Sequence, residues 1–157
     1  MKKVLLTESQ IRLINEEIDR NDSIQKLLFT EPSEIKFEKE DSVSSTGSPV
    51  SRLIPVIDGK KIGENQVKLS ADEIKVKNTV MYQLHIDVNY NIRRLGVAEK
   101  LYTAFILQGN PVCSLSNNRE SSEAIENLWK KLSQNPEISV KPMKYNGKEV
   151  GIIALRK

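Results

Sequence analysis

Apolar and polar positions alternate strictly from Val80 to Val88. Val80, Tyr82, Leu84, Ile86 and Val88 share one face, and Met81, Gln83, His85 and Asp87 share the other, which is the two-residue period of a strand. The period then changes. Val97, Leu101 and Phe105, joined by Ala98 and Tyr102, recur at three- and four-residue steps, so a helix is predicted there with Glu99 and Lys100 on its wet side. A short apolar run, Pro111 to Leu115, predicts a further strand. Ile125, Leu128, Trp129 and Leu132 give the core stripe of a helix over Ser122 to Leu132. Upstream, Thr7 and Gln10 form a capping-box pattern, with Leu6 and Ile11 placed as a hydrophobic staple. A first helix is therefore expected through Ile11, Ile14 and Ile18, weakening at Asn21 and Asp22, with a second short helix at Ser23 to Phe29 before Pro32.

Turn chemistry divides the rest. Asp58-Gly59, between Leu53 to Ile57 and Lys60 to Gly63, and Asn146-Gly147, between Ile138 to Tyr145 and Lys148 to Leu155, suit the positive φ angles of two-residue hairpins. Pro142 removes a ladder donor, so its strand belongs at a sheet edge or carries a bulge. Another strand is expected near Gln66 to Leu69 or Ile74 to Val76. Residues 38–51 are polar, with five serines between Ser42 and Ser51 together with Gly47 and Pro49, and read as a mobile loop. There is no internal repeat, and 157 residues suit one domain with one core.

The junction of strand and helix carries the chemistry. A strand that ends in a glycine-containing turn and runs into a helix aims several unpaired backbone N–H groups at one point, with the positive helix end behind them, and an anion suits that point. Here the turn is Arg93, Arg94, Leu95, Gly96, Val97 and Ala98. Gly96 lets a ligand approach the backbone closely, and Arg93 and Arg94 offer charge-assisted contacts.

At these residues the chain resembles the GNAT acyltransferase superfamily, whose acyl-CoA-binding turn reads Gln or Arg, two residues, Gly, one residue, Gly or Ala; Arg93, Gly96 and Ala98 fill it. Val88, five positions before Arg93, matches the hydrophobic end of that family's fourth strand, and the elements through Leu132 follow the family's order. The resemblance implies an α/β fold: a mixed, mostly antiparallel sheet flanked by helices and splayed near Val88 to form an acyl-CoA cleft. It implies acetyl-CoA as co-substrate, held by residues 93–98 and by the backbone of Ile86 and Val88, and N-acetyl transfer to an amine acceptor, small molecule or protein. The opening Lys2 to Ile14 also looks like the start of many small proteins of tailed phages.

Proton transfer is where the chain departs from that family. The position matching the family's tyrosine acid is Trp129, whose indole donates a hydrogen bond but is no useful acid, and which fits a core stripe. Tyr102 and Tyr145 are substitutes that spacing does not separate. On the polar face of the strand, His85 is the candidate base, because histidine is the side chain suited to accept a proton near neutral pH, with Asp87 to orient water or a cationic substrate. Tyr82 lies near where some relatives carry a carboxylate base. Cys113, with no histidine placed to activate it, reads as a buried core residue, and Asn117 and Asn118 read as helix caps or contacts to the pantetheine arm.

Composition narrows the classes. One cysteine and one histidine leave no disulfide and remove most metal-ligand sets, so no metal is expected. No apolar run approaches the roughly 20 residues that span a bilayer, and Met1 to Leu6 lacks a secretion-signal core, so a cytoplasmic protein is expected. A net charge of +3 is too small to argue for nucleic acid, although phosphates on Arg93 and Arg94 are a third reading. The second reading is a non-catalytic binding module of the same fold, such as a phage accessory protein. Neither the acceptor nor the oligomeric state follows from the sequence.

Overall fold

A computed structural model describes residues 7–9, 23–43, 47, 49–63, 66–76, 78–89, 95–115 and 123–157. The first helix expected from Thr7 lies outside the described residues apart from 7–9. Residues 23–29 are helical (α1), as expected, and a 3-10 turn at Pro32–Glu34 follows. Eight strands come next in chain order, interrupted by two helices. They are β1 (Lys36–Val43), β2 (Pro49–Ile57), β3 (Lys60–Lys61), β4 (Val67–Val76), β5 (Thr79–Val88), β6 (Val112–Leu115), β7 (Ile138–Tyr145) and β8 (Lys148–Arg156); α2 (Val97–Leu107) precedes β6 and α3 (Glu123–Gln134) follows it.

The strands form one open mixed sheet in the order β1-β2-β4-β5-β6-β8-β7, with β3 paired to β2. All pairings are antiparallel except β5 with β6. The two parallel strands are joined by a crossover containing α2, as a parallel pair requires. Both dipeptide hairpins form, with Asp58 and Gly59 at φ 51° and 76° and Asn146 and Gly147 at 51° and 78°. Pro142 meets both expectations: β7 is an edge strand, and its register shifts between Met143 and Lys144.

Two readings change. Residues 38–43, assigned above to a loop, belong to β1, which pairs with β2 along its whole length. A strand at a sheet edge is held by backbone hydrogen bonds on one side and shows its side chains to water, so charge there deters further pairing without preventing the strand. The two short candidates at 66–69 and 74–76 are parts of one ten-residue strand, β4, which turns into β5 at Asn78 with φ 68°.

One face of the sheet carries the core. Leu53 of β2, Leu69 and Ala71 of β4 and Leu84 of β5 join Val97, Leu101, Tyr102, Ala104, Phe105 and Ile106 of α2 in one buried cluster, which takes in Ile24 and Leu27 of α1 and Leu128, Trp129 and Leu132 of α3. Flanked by sheet and helices, α2 is buried on most of its circumference. Phe105 meets both Phe37 and Tyr82 edge-on, with ring centroids 5.6 and 5.3 Å apart. The Gln108 side-chain amide donates to the Ile35 carbonyl and ties the 3-10 turn to the end of α2. Among the described residues no helix is long and apolar enough to cross a membrane.

Candidate functional site

β5 and β6 share a single register pair, Tyr82 with Val112, marked by the Tyr82 amide donating to the Pro111 carbonyl at 2.9 Å. Among the described residues no later pair joins them, although β5 continues to Val88. Backbone groups alternate sides along a strand, so those of Leu84 and Ile86 point to the same side as those of Tyr82. The Leu84 carbonyl accepts the Tyr102 hydroxyl at 3.1 Å. Beyond it, Ile86 turns its N–H and C=O to that same side.

α2 runs back along β5, because Tyr102 reaches Leu84 while the later Phe105 reaches the earlier Tyr82. Its N-terminus therefore lies toward the Val88 end, beyond the Tyr82–Val112 pair. The helix starts at Gly96, in the left-handed region at φ 87°, and its first intrahelical bond runs from the Lys100 amide to the Gly96 carbonyl at 3.0 Å. The amides of Val97, Ala98 and Glu99 precede that bond and have no acceptor within the helix. Among the described residues no side-chain cap hydrogen bond forms at this end. A Cβ on Gly96 would meet none of the described residues within 4 Å. Leu95 is exposed, Val97 is buried, and Ala98, Ile86 and Val88 are half-buried at the rim of the core. Arg93, Arg94, Asn117 and Asn118 lie outside the described residues.

Across the sheet from α2 lies the polar face of β4 and β5. Register sets Ser70 opposite His85, Lys68 opposite Asp87 and Arg52 opposite Ser70. That face is buried at Met81 and Gln83 and opens to water at His85 and Asp87. His85 Nε2 lies 2.9 Å from Asp72 Oδ2, with 54% and 43% of the two side chains exposed. Asp72 was not singled out from the sequence. Its link to His85 depends on a diagonal contact in the β4–β5 register, which no local pattern reveals.

The remaining candidates are committed elsewhere. Tyr82 packs on Phe105, with Lys39 Nζ 5.8 Å from its ring centroid. Trp129 is buried in the core cluster. Tyr145 is exposed beside the β7–β8 turn, at the edge of the sheet. Burial pushes the Tyr102 phenol up to about 12 and the Cys113 thiol up to about 11, so both hold their protons at neutral pH. Gln66, whose carbonyl accepts the Asn89 amide at 2.8 Å just past the end of β5, buries its side-chain oxygen with no hydrogen-bond partner among the described residues. Among the described residues no group of three or more His, Cys, Asp or Glu is placed to hold a metal ion.

No family model matches the chain, and neither the curated proteins nor the solved structures give a match.

Proposed function

We propose that this chain binds an acyl-CoA between β5 and β6 and transfers its acyl group, most simply acetyl, to an amine, as the resemblance to GNAT N-acetyltransferases implies. One observation carries the reading. Among the described residues the parallel pair β5–β6 has its one register pair at Tyr82 and Val112, and the start of α2, with its left-handed Gly96, lies toward the Val88 end of β5. Such an arrangement suits a ligand that is half strand-like amide and half diphosphate. The amides at Val97, Ala98 and Glu99 would take the pyrophosphate, with Arg93 and Arg94 as further charged contacts. The pantetheine amides would continue the ladder along Ile86 and Val88.

The chemistry is attack of a neutral amine on a thioester carbonyl. A backbone N–H of β5 aimed at that carbonyl stabilises the oxyanion, an effect typically worth about two to three decades in rate. His85, on the opposite face, is the group that accepts the ammonium proton, and Asp87 attracts a cationic acceptor. The thiolate needs no dedicated acid, since a thiol of pKa near 8.5 departs readily.

The burial of Trp129 and the commitment of Tyr102 to Leu84 favour a second reading, a binding module that keeps the cofactor and lacks turnover. Thioester turnover separates the two. With acetyl-CoA and a panel comprising a polyamine, a small primary amine and a lysine peptide, the first reading gives amine-dependent release of free thiol. Stabilisation by acetyl-CoA without thiol release supports the module, and neither effect rules out both.

A further inference from the structure

We infer that Asp72 is a positioning residue for His85, and that the proton from the acceptor amine is taken by the Nδ1 atom of His85; this rests on the acyltransfer reading. A carboxylate only accepts hydrogen bonds, so the 2.9 Å contact between Asp72 Oδ2 and His85 Nε2 assigns the imidazole proton to Nε2. The lone pair is then on Nδ1, the nitrogen that Asp72 leaves uncovered. With 54% of its side chain exposed, His85 is held less by burial than by the hydrogen bond to the neighbouring strand, which orients its ring. The pair spans β4 and β5, the strand whose backbone lines the proposed thioester site. Among the described residues, register also brings Gln83, directly opposite Asp72, and Ser70, Lys68, Asp87, Arg52 and Glu40 to this face.

The step balances as follows. The amine nitrogen, present as ammonium, gives one proton to Nδ1 directly or through a water. Its freed lone pair forms the bond to the thioester carbon. As that bond forms, the carbonyl π pair moves to oxygen; it returns as the carbon–sulfur bond breaks with its electron pair on the CoA sulfur, and the acylated nitrogen gives its second proton to solvent, leaving a neutral amide. The imidazolium, facing the Asp72 carboxylate, then returns its proton to solvent, and the thiolate is protonated there.

Thiol release by wild type, Asp72→Asn, His85→Gln and the double variant tests this. His85→Gln is expected to lose about a hundredfold or more in kcat, and Asp72→Asn about tenfold, through misorientation of the ring. The KM for acetyl-CoA and the melting shift it produces stay unchanged in both, because neither residue faces the α2 side of the sheet. The double variant should be no slower than His85→Gln, because Asp72 acts only through the ring. Losses that multiply in the double variant, or an Asp72→Asn chain with wild-type kcat, overturn the inference while leaving acyltransfer standing. A wild-type chain that releases no thiol with any amine in the panel overturns the acyltransfer reading and this inference with it.

Discussion

The Tyr102 hydroxyl donates to the Leu84 carbonyl at 3.1 Å, at the first β6-facing carbonyl of β5 past the Tyr82–Val112 pair. A strand that runs past its last register pair leaves backbone groups in need of another partner, and here α2 supplies one from its own buried face. Tyr102→Phe keeps the ring and leaves that carbonyl without the donor. The loss should be about 1–3 kcal/mol, read as a melting temperature several degrees lower. An unchanged melting temperature would mean that the contact contributes nothing to stability.

Alkaline pH tests the same region. Burial raises the Tyr102 phenol from 10.0 to about 12 and the Cys113 thiol from 9.0 to about 11. Each is therefore an acid whose neutral form the fold favours. The sign follows: both contributions are fully present below pH 9, that of Cys113 is lost as pH rises from 9 through about 11, and that of Tyr102 from 10 through about 12. Urea unfolding across that window should show falling stability, with a shallower fall in Tyr102→Phe above pH 10. Equal slopes in the two proteins would contradict the assignment to Tyr102.

Gly151 is fixed by contact. A Cβ there would lie 2.3 Å from the Ser114 carbonyl oxygen, a backbone atom of the paired strand β6. Gly151→Ala must therefore push β8 from β6, at a cost of about 1–3 kcal/mol or more. Hydrogen exchange should locate the loosened amides in β6 and β8. A variant of wild-type stability would refute the close approach.

Gln66 offers the opposite sign. Its buried side-chain oxygen has no partner among the described residues, which costs stability that an apolar side chain of similar length does not incur. Gln66→Met should stabilise the chain without ligand by about 1 kcal/mol, read as a higher melting temperature. A fall in melting temperature would show the oxygen to be paired in solution.

Legibility in the sequence followed the range of the physics. β5 and α2 were readable because period two and period 3.6 are local properties, and the Asp58-Gly59 and Asn146-Gly147 turns because φ > 0 selects residue types directly. β1 was missed because an edge strand of Lys, Glu and Asp is stabilised by its partner's backbone, not by apolar side chains of its own. The turn at Asn78 lacks a glycine and gave no signal. The Asp72–His85 contact and the Gly151 approach to Ser114 are set by register between strands, which appears only once the sheet is assembled. Of the proposed phosphate cradle, Gly96 and the helix start were legible from the glycine and the change of period, whereas Arg93 and Arg94 fall outside the described residues.

The most direct measurement is the melting curve with and without acetyl-CoA, for wild type and for Gly96→Asn. Asparagine tolerates the positive φ of 87° better than other side chains, yet it fills the space that is open beside Gly96. Wild type should gain about 2.7 kcal/mol at a ligand concentration about 100 times Kd, and Gly96→Asn should fold and lose most of that gain. A wild-type chain indifferent to acetyl-CoA, or a Gly96→Asn chain stabilised as strongly as wild type, would contradict an acyl-CoA site at the start of α2.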